Sequence, residues 1–361
     1  MADKKISPFT RTPGIAGRAL IETHYSDEII ANFDSDESYK YVYKIVGLRG
    51  SGKSVEYSIV MDYFRNQANW LVYPLSAGGN PIQTLISTMS REKFIDSKQI
   101  SVTYGVDAAV ERGIAVASAK AQLGSEIKVQ NNNNYYSDEA TLKEMLTLAK
   151  SNGYKVLIGV DDIAKTDEMV RFLSVLGTVF MESDKDVRFI CTGLSKNIED
   201  FVAVPHLSFF VRNESIVMKP LDSHGMAQKY RTLLGISVGE AVALAKYTLG
   251  YAYGYQVLGE ICYNQNKAGV DEDVEVTFDE NIGPQYDLIW GTLTEAEQDL
   301  VRIIVNTESG AVVEIKEQME KPSGFASLRD RLMKKHILMS QGRGLVSVPL
   351  PRFKEYVNLW H

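Results

Sequence analysis

An α/β fold with a mostly parallel sheet is what this sequence predicts, followed by an all-helical unit and a terminal helix-and-hairpin unit. Three observations carry that reading. Apolar, β-rich runs alternate with helical periodicity between Tyr41 and Leu221, the pattern of successive βα units. From Ser223 to about Trp290 strand-like runs disappear and i, i+3, i+4 spacing takes over. Beyond Leu293, three helical stretches precede an alternating segment broken by Gln-Gly-Arg-Gly. A chain of 361 residues suits two or three domains. The changes of pattern place them at 1–221, 222–292 and 293–361.

The elements follow in order. Pro8, Pro13 and Gly14 mark an N-terminal loop, after which GRALIETHYSDEIIANF reads as a helix. YVYKIV (41–46) is a strand ending in glycine, and a helix runs from Lys53 to about Phe64. WLVYPL (70–75) is a second strand. A helix after Asn80 places Ile82, Leu85, Ile86 and Met89 on one face. Residues 99–130 fit either strands or helix, and the asparagines at 131–134 read as an exposed loop tip. DEATLKEMLTLAKSNG is a helix with early acids, late lysines and Gly153 as its stop. It leads to the strand YKVLIGV and the pair Asp161-Asp162. MVRFLSVLGTVFME is helical, and VRFICTG is a further buried strand. Three helices follow in the second unit, and the acidic segment DEDVEVTFDE reads as a solvated connection between them.

Composition narrows the class. The chain is 45% hydrophobic and 24% charged, as ordinary globular proteins are. No run reaches the ~18 apolar residues needed to span a bilayer, so no membrane partner is expected. Two cysteines in apolar contexts, Cys191 and Cys262, and an N-terminus without an apolar signal core point to a reducing, cytoplasmic compartment. No Cys-x-x-Cys or His-Glu-x-x-His pattern offers a zinc site. A net charge of −7 argues against a general nucleic-acid coat, though a local basic patch is compatible with it.

Chemistry enters at Gly47-Leu48-Arg49-Gly50-Ser51-Gly52-Lys53-Ser54, which matches GxxxxGK[ST] between a strand and a helix. The glycines let successive N–H groups turn toward phosphate oxygens, and the helix N-terminus adds its dipole. Lys53 is placed to reach the β- and γ-phosphates and Ser54 to ligate Mg²⁺. Val55 follows in the first turn. This is the signature of a nucleoside-triphosphate site, with ATP or ADP and Mg²⁺ as its ligands.

A buried strand delivers Asp161 and Asp162 at its carboxyl end, where ligands bind in open parallel sheets. Asp161 suits Mg²⁺ coordination through water, and Asp162 suits orienting the attacking water, or else capping the next helix. Thr192, at the tip of VRFICTG, either senses the γ-phosphate or satisfies loop backbone.

In the third unit, TEAEQDLVRIIV opens with a capping box, Thr294 with Glu297. VVEIKEQM and the stretch from Ser323 to about His336 are the next helices. ILMSQGRGLVSVPL reads as a hairpin, which completes a winged helix-turn-helix. From Lys321 to Lys354 there are eight basic residues against one acid, Asp330. Arg329, Arg331, Lys334 and Lys335 fall on or near the third helix and Arg343 at the hairpin tip, an arrangement suited to double-stranded DNA. Solvated surface or a protein-contact face are the alternatives.

These segments together resemble the AAA+ and STAND branches of P-loop ATPases. The likeness is strongest to small prokaryotic ATPases related to origin-recognition initiators, which end in a winged helix. PGIAGRALIE is similar to that group's adenine-side motif, implying that Ile15, Gly17 and Arg18 lie near the base. LGYAYGYQVLGEIC resembles its lid helix, implying contacts from Gly250 and Tyr253, although Ala252 replaces a common proline. No lid arginine occupies the second-sensor position, and Asp162 stands where many AAA+ enzymes carry Glu. Both departures imply slow hydrolysis, a switch more than a motor. The resemblance also implies that Arg212 faces a neighbouring subunit, where it reaches a γ-phosphate in trans or pairs locally with Glu214. The expected function is a slowly hydrolysing, nucleotide-dependent switch that binds DNA through its winged helix. The alternative is a signalling ATPase whose winged helix contacts protein.

Overall fold

The computed structural model describes residues 6–12, 17–95, 134–181, 186–213 and 215–361. Five strands form one parallel sheet: β1 (Val42–Val46), β2 (Trp70–Leu75), β3 (Lys155–Val160), β4 (Val187–Gly193) and β5 (Ser215–Val217). Their order across the sheet is β2-β3-β4-β1-β5. Strands buried on both faces read as near-continuous apolar runs, and β1 and β4 are buried along their whole length.

Helices α1 (His24–Asp34) and α2 (Lys53–Arg65) cover one face, where Ile29, Phe33, Val60 and Phe64 meet Tyr43, Ile45, Leu157 and Ile190. The opposite face carries α3 (Pro81–Met89), α4 (Asn134–Ser151), α5 (Asp167–Met181), α6 (Ser195–Glu199) and α7 (Ser208–Arg212). Leu85, Leu142, Phe172 and Phe210 pack there against Val42, Val160 and Phe189. The sheet brings the carboxyl ends of β1, β3 and β4 side by side, which is what gathers the site.

Helices α8 (Ser223–Leu234), α9 (Val238–Tyr247), α10 (Ala252–Gln265) and α11 (Glu272–Trp290) follow. The last stretch holds α12 (Glu295–Asn306), α13 (Val312–Gln318), α14 (Phe325–Lys334), the antiparallel pair β6 (Met339–Ser340) and β7 (Val346–Ser347), and α15 (Phe353–Trp360). Ala311 bridges antiparallel to Leu345 and adds a third short edge to the hairpin. Residues of α8 to α15 share one continuous core, with Tyr286 of α11 packed edge-on against Phe353 of α15 at 4.9 Å. The capping box of Thr294 and Glu297 is formed.

Two sequence expectations are corrected. The first helix starts at His24, capped by Thr23, not at Gly17. Residues 17–22 instead run against α10, where the Ala19 carbonyl accepts the Tyr255 hydroxyl at 2.9 Å; a buried tertiary partner outweighed local helix propensity. The acidic DEDVEVTFDE is no connection, because α11 starts inside it. Asp271 caps the helix by accepting from the Val274 N–H, the acids occupy the favourable first turn, and Val274 and Phe278 are buried one turn apart. The ambiguous 99–130 and Asn131–Asn133 lie outside the described residues, while Asn134 opens α4.

Candidate functional site

The loop between β1 and α2 is held open by glycine. Gly50 and Gly52 sit at φ 75° and 96°, and a Cβ on Gly50 would stand 2.3 Å from the Tyr251 hydroxyl. Any other residue at Gly50 is both strained and obstructed. The amides of Gly50, Gly52, Lys53 and Ser54 have no hydrogen-bond acceptor among the described residues. The Ser51 hydroxyl is buried and likewise unpartnered. These half-buried donors cluster at the start of a 13-residue helix, an arrangement suited to an anion.

Lys53 is buried, and its Nζ donates to the carbonyls of Gly47 and Leu48 at 3.2 and 2.9 Å. Burial pushes its ammonium down to about 8, against the opposing pull of Asp162 and Asp161. The side chain rests on its own loop, within a rotamer change of an anion held there. Ser54 donates to Asp161 at 3.0 Å, the pairing in which a hydroxyl and a carboxylate share a hard cation. With phosphate oxygens, these two groups fit Mg²⁺. Among the described residues no cluster of three or more His, Cys, Asp or Glu forms a metal site on protein ligands alone.

Thr192 is fully buried and tied to the acidic turn. Its hydroxyl donates to Asp161 and accepts from the Asp162 N–H, while its carbonyl accepts from the Ile163 N–H. The hydroxyl thus serves both turn backbone and the Asp161 carboxylate. Asp162 adopts a left-handed φ of 54° and caps no helix; Thr166 accepts from the Met169 N–H at the start of α5. Aspartate tolerates this region well, and the turn is held by the Asp162 N–H donating to the Thr192 hydroxyl.

One pocket takes in the loop and Lys53 but not Asp161, Asp162 or Thr192, which reach it only through the Ser54–Asp161 hydrogen bond. Gly50 through Glu56 form one wall, Gly17, Leu20 and Ile21 a second, and Met218, Leu221 and Tyr253 close it. Gly17, Val55 and Tyr253 therefore line it as the sequence suggested. Arg18 is exposed and does not line it. Ile15 lies outside the described residues. Gly47 and Arg49 face a small neighbouring pocket with Ser195 and Lys335. Gly250, at φ 77°, accepts from the Leu221 N–H at 2.8 Å and shapes the hinge into the helical unit. That unit grips the loop directly: the Tyr251 hydroxyl donates to the Arg49 carbonyl, and the Tyr253 N–H to the Gly50 carbonyl.

Sequence reasoning missed four residues here: Met218, Tyr251, Ser195 and His336. His336, at the end of α14, shares a hydrogen bond of 2.7 Å with Ser195 and lines a pocket with Ser51 and Tyr251. Burial and the Lys53 charge hold its imidazole below the ordinary range. Nothing in the local sequence marks a histidine for such a contact. The basic residues of α14 are also engaged. Lys335 donates to Glu297 and to the Thr292 carbonyl, Arg331 lies 3.7 Å from Glu297, and Lys334 lies 3.7 Å from Glu199. Arg329 pairs with Asp330, and Arg343 is exposed at the hairpin tip. Arg212 stands on α7, lining a groove with Lys44 and Ser215 away from this pocket; Glu214 lies outside the described residues.

No family model and no curated protein matches the sequence. Among solved structures, the Aeropyrum pernix ORC2 protein in ADPNP–ADP complexes is similar with a TM-score of 0.53 and 14% identity, covering 99% of this chain and 95% of that one. The ADP form of the same protein gives 0.46 at 13% identity, with coverages of 99% and 95%. A STAND protein with a tetratricopeptide-repeat sensor from Pyrococcus horikoshii gives 0.39 at 15% identity, covering 98% of this chain and 44% of that one. The first superposition, together with the sheet order, carries the conclusion. The chain shares the fold of the Aeropyrum pernix ORC2 protein, with five parallel strands in the order β2-β3-β4-β1-β5.

Proposed function

We propose that this chain binds ATP with Mg²⁺ at the phosphate loop, hydrolyses it slowly, and uses the nucleotide to set the position of its C-terminal unit. The observation that carries the reading is the cradle of unpartnered amides beside the Ser54–Asp161 pair. Lys53 leaves the loop carbonyls to clamp the phosphates, and Ser54 and Asp161 hold the cation, which neutralises phosphate charge when bound. Asp162 orients the attacking water from the turn after β3. Ile21, Met218 and Tyr253 suit the base end of the ligand, in keeping with an ORC2 neighbour solved with ADPNP and ADP. Helices α12 to α14 with the hairpin read as a winged helix. Its docking through His336 and Lys334 supports a closed switch, because the bond to Ser195 ties it to the strand end beside Asp161. Asp162→Asn should retain ATP affinity and lower turnover about ten- to a hundredfold. Turnover at the wild-type rate, measured by phosphate release, would assign the water to another group.

DNA binding is the second reading, favoured by the exposed Arg343 between Gly342 and Gly344 at the hairpin tip. On this reading double-stranded DNA binds only the undocked unit, since α14 is engaged in the closed form. A steep loss of affinity with salt, present with one nucleotide and absent with the other, supports it. No affinity at low salt in any nucleotide state removes it.

A further inference from the structure

Residues 6–12 carry neither helix nor strand and lie across the helical unit. Three contacts pin them there. Phe9 is 3% exposed, its ring 5.8 Å from that of Tyr230 on α8 and 5.9 Å from that of Tyr255 on α10. The Thr10 N–H donates to the Gln256 side-chain carbonyl at 3.0 Å. Arg11 pairs with Glu260 at 2.6 Å and donates to Asn281 of α11 at 2.8 Å. The seat for Phe9 is cut into α10 by Gly259, where a Cβ would stand 2.3 Å from the ring. Glycine weakens a helix interior, and here it leaves room for the aromatic plug.

The same segment forms part of the phosphate-loop pocket, whose lining includes Thr10, Arg11 and Thr12 beside Gln256. Helix α10 leaves the loop at Tyr253, whose N–H donates to the Gly50 carbonyl. Gln256 and Glu260 follow about one and two turns on, so the segment closes the pocket at its far end. The other walls are held by helix, strand end or, in residues 17–23, by the bonds of Ala19 to Tyr255 and Thr23 to Glu56. Residues 7–12 differ: among the described residues no backbone–backbone hydrogen bond reaches them. Segments held by a few side-chain contacts open at the lowest free energy. We propose that residues 7–12 are a strap that gates this pocket, retaining a bound nucleotide while seated on α10 and peeling away to let it enter or leave. The proposal rests on the reading of the pocket as a nucleotide site. Loosening a gate lowers the barrier in both directions, so association and dissociation quicken together and Kd hardly moves. Losing a plain contact quickens dissociation alone.

Stopped-flow mixing of the full chain with Mg²⁺ and ADP carrying a fluorescent label on its ribose tests this. Phe9 and Gly259 meet each other outside the pocket lining, so their variants loosen the strap without removing a wall residue. Phe9→Ala and Gly259→Ala should each raise both rate constants about tenfold, with Kd changed by less than about threefold. Glu260→Ala frees Arg11 from outside the pocket and should raise both about threefold. Glu260 is half-buried at the surface, so its variant reads out even where the two core variants do not fold. Faster dissociation with unchanged association makes the segment a contact wall and overturns the gate, as do wild-type rates in all three variants. A wild-type chain that binds no labelled ADP overturns the nucleotide reading itself, and the strap with it.

Discussion

Among the described residues the phosphate loop keeps its donors free, whereas the basic residues on and just after helix α14 face carboxylates of the same molecule, Lys335 in a buried pair and Arg331 and Lys334 in looser, exposed ones. In the loop, four amides and the Ser51 hydroxyl have no partner among the described residues. On α14 and just after it, Arg331, Lys334 and Lys335 each meet a carboxylate, and Glu297, which takes two of them, is 1% exposed. A run of positive charge in a sequence is therefore no measure of positive charge offered to a ligand. What counts is which acids the fold brings opposite it. A glycine-rich loop differs, because its donors are backbone groups whose direction is set by φ and ψ of the loop itself.

Breaking the loop side should have the largest effect. Lys53→Ala removes the clamp and should weaken ATP binding about a hundredfold or more, as read with a fluorescent nucleotide. A folded variant with unchanged affinity would remove the phosphate-loop assignment.

Breaking the helix side should cost stability. Glu297 accepts from Lys335 and from its own N-cap amide at 2.7 and 2.8 Å. Burial pushes its carboxyl up, but these hydrogen bonds outweigh it and hold the group below the usual carboxylate range. Glu297→Gln should lower unfolding stability by about 2–3 kcal/mol, measured by denaturant titration. A neutral result would mean that α14 keeps its charges for another partner.

The comparison is sharpened by pH. The Lys53 ammonium, pushed down to about 8 by burial, is charged at neutral pH and loses its proton as pH rises through that value. Phosphates favour the charged form, so ATP affinity should fall by up to about tenfold per pH unit above it and stay flat just below. A flat affinity profile across that range would show that the free lysine is not buried as described. The smallest effect belongs to the hairpin tip. Arg343→Ala should lower the salt slope of any DNA binding by about one while leaving ATP affinity unchanged.

Much of the site was readable because its parts are local. GLRGSGKS, with Asp161 and Asp162 after an apolar run, needs only short-range backbone geometry to be recognised. Arg18 shows the limit: it lies beside Gly17 in sequence, yet the turn carries its side chain away from the pocket. Thr192 had two readings, and only the fold showed its hydroxyl tied to the acidic turn. The acidic start of α11 misled for a related reason. Charge density suggested solvent, while the spacing of Val274 and Phe278 carried the helix.

By itself the sequence determined the alternation that builds the parallel sheet, the glycine-rich loop after β1, and the acids at the end of β3. These follow from periodicity and backbone chemistry within a few residues. Only the tertiary structure decided that His336 meets Ser195, that Arg331 and Lys335 share Glu297 while Lys334 lies near Glu199, and that the buried Lys44 donates to the Phe210 carbonyl. The chain separates His336 from Ser195 by 141 positions, and no local pattern encodes an encounter at that range. Packing and desolvation set which charges meet, and both are properties of the assembled core.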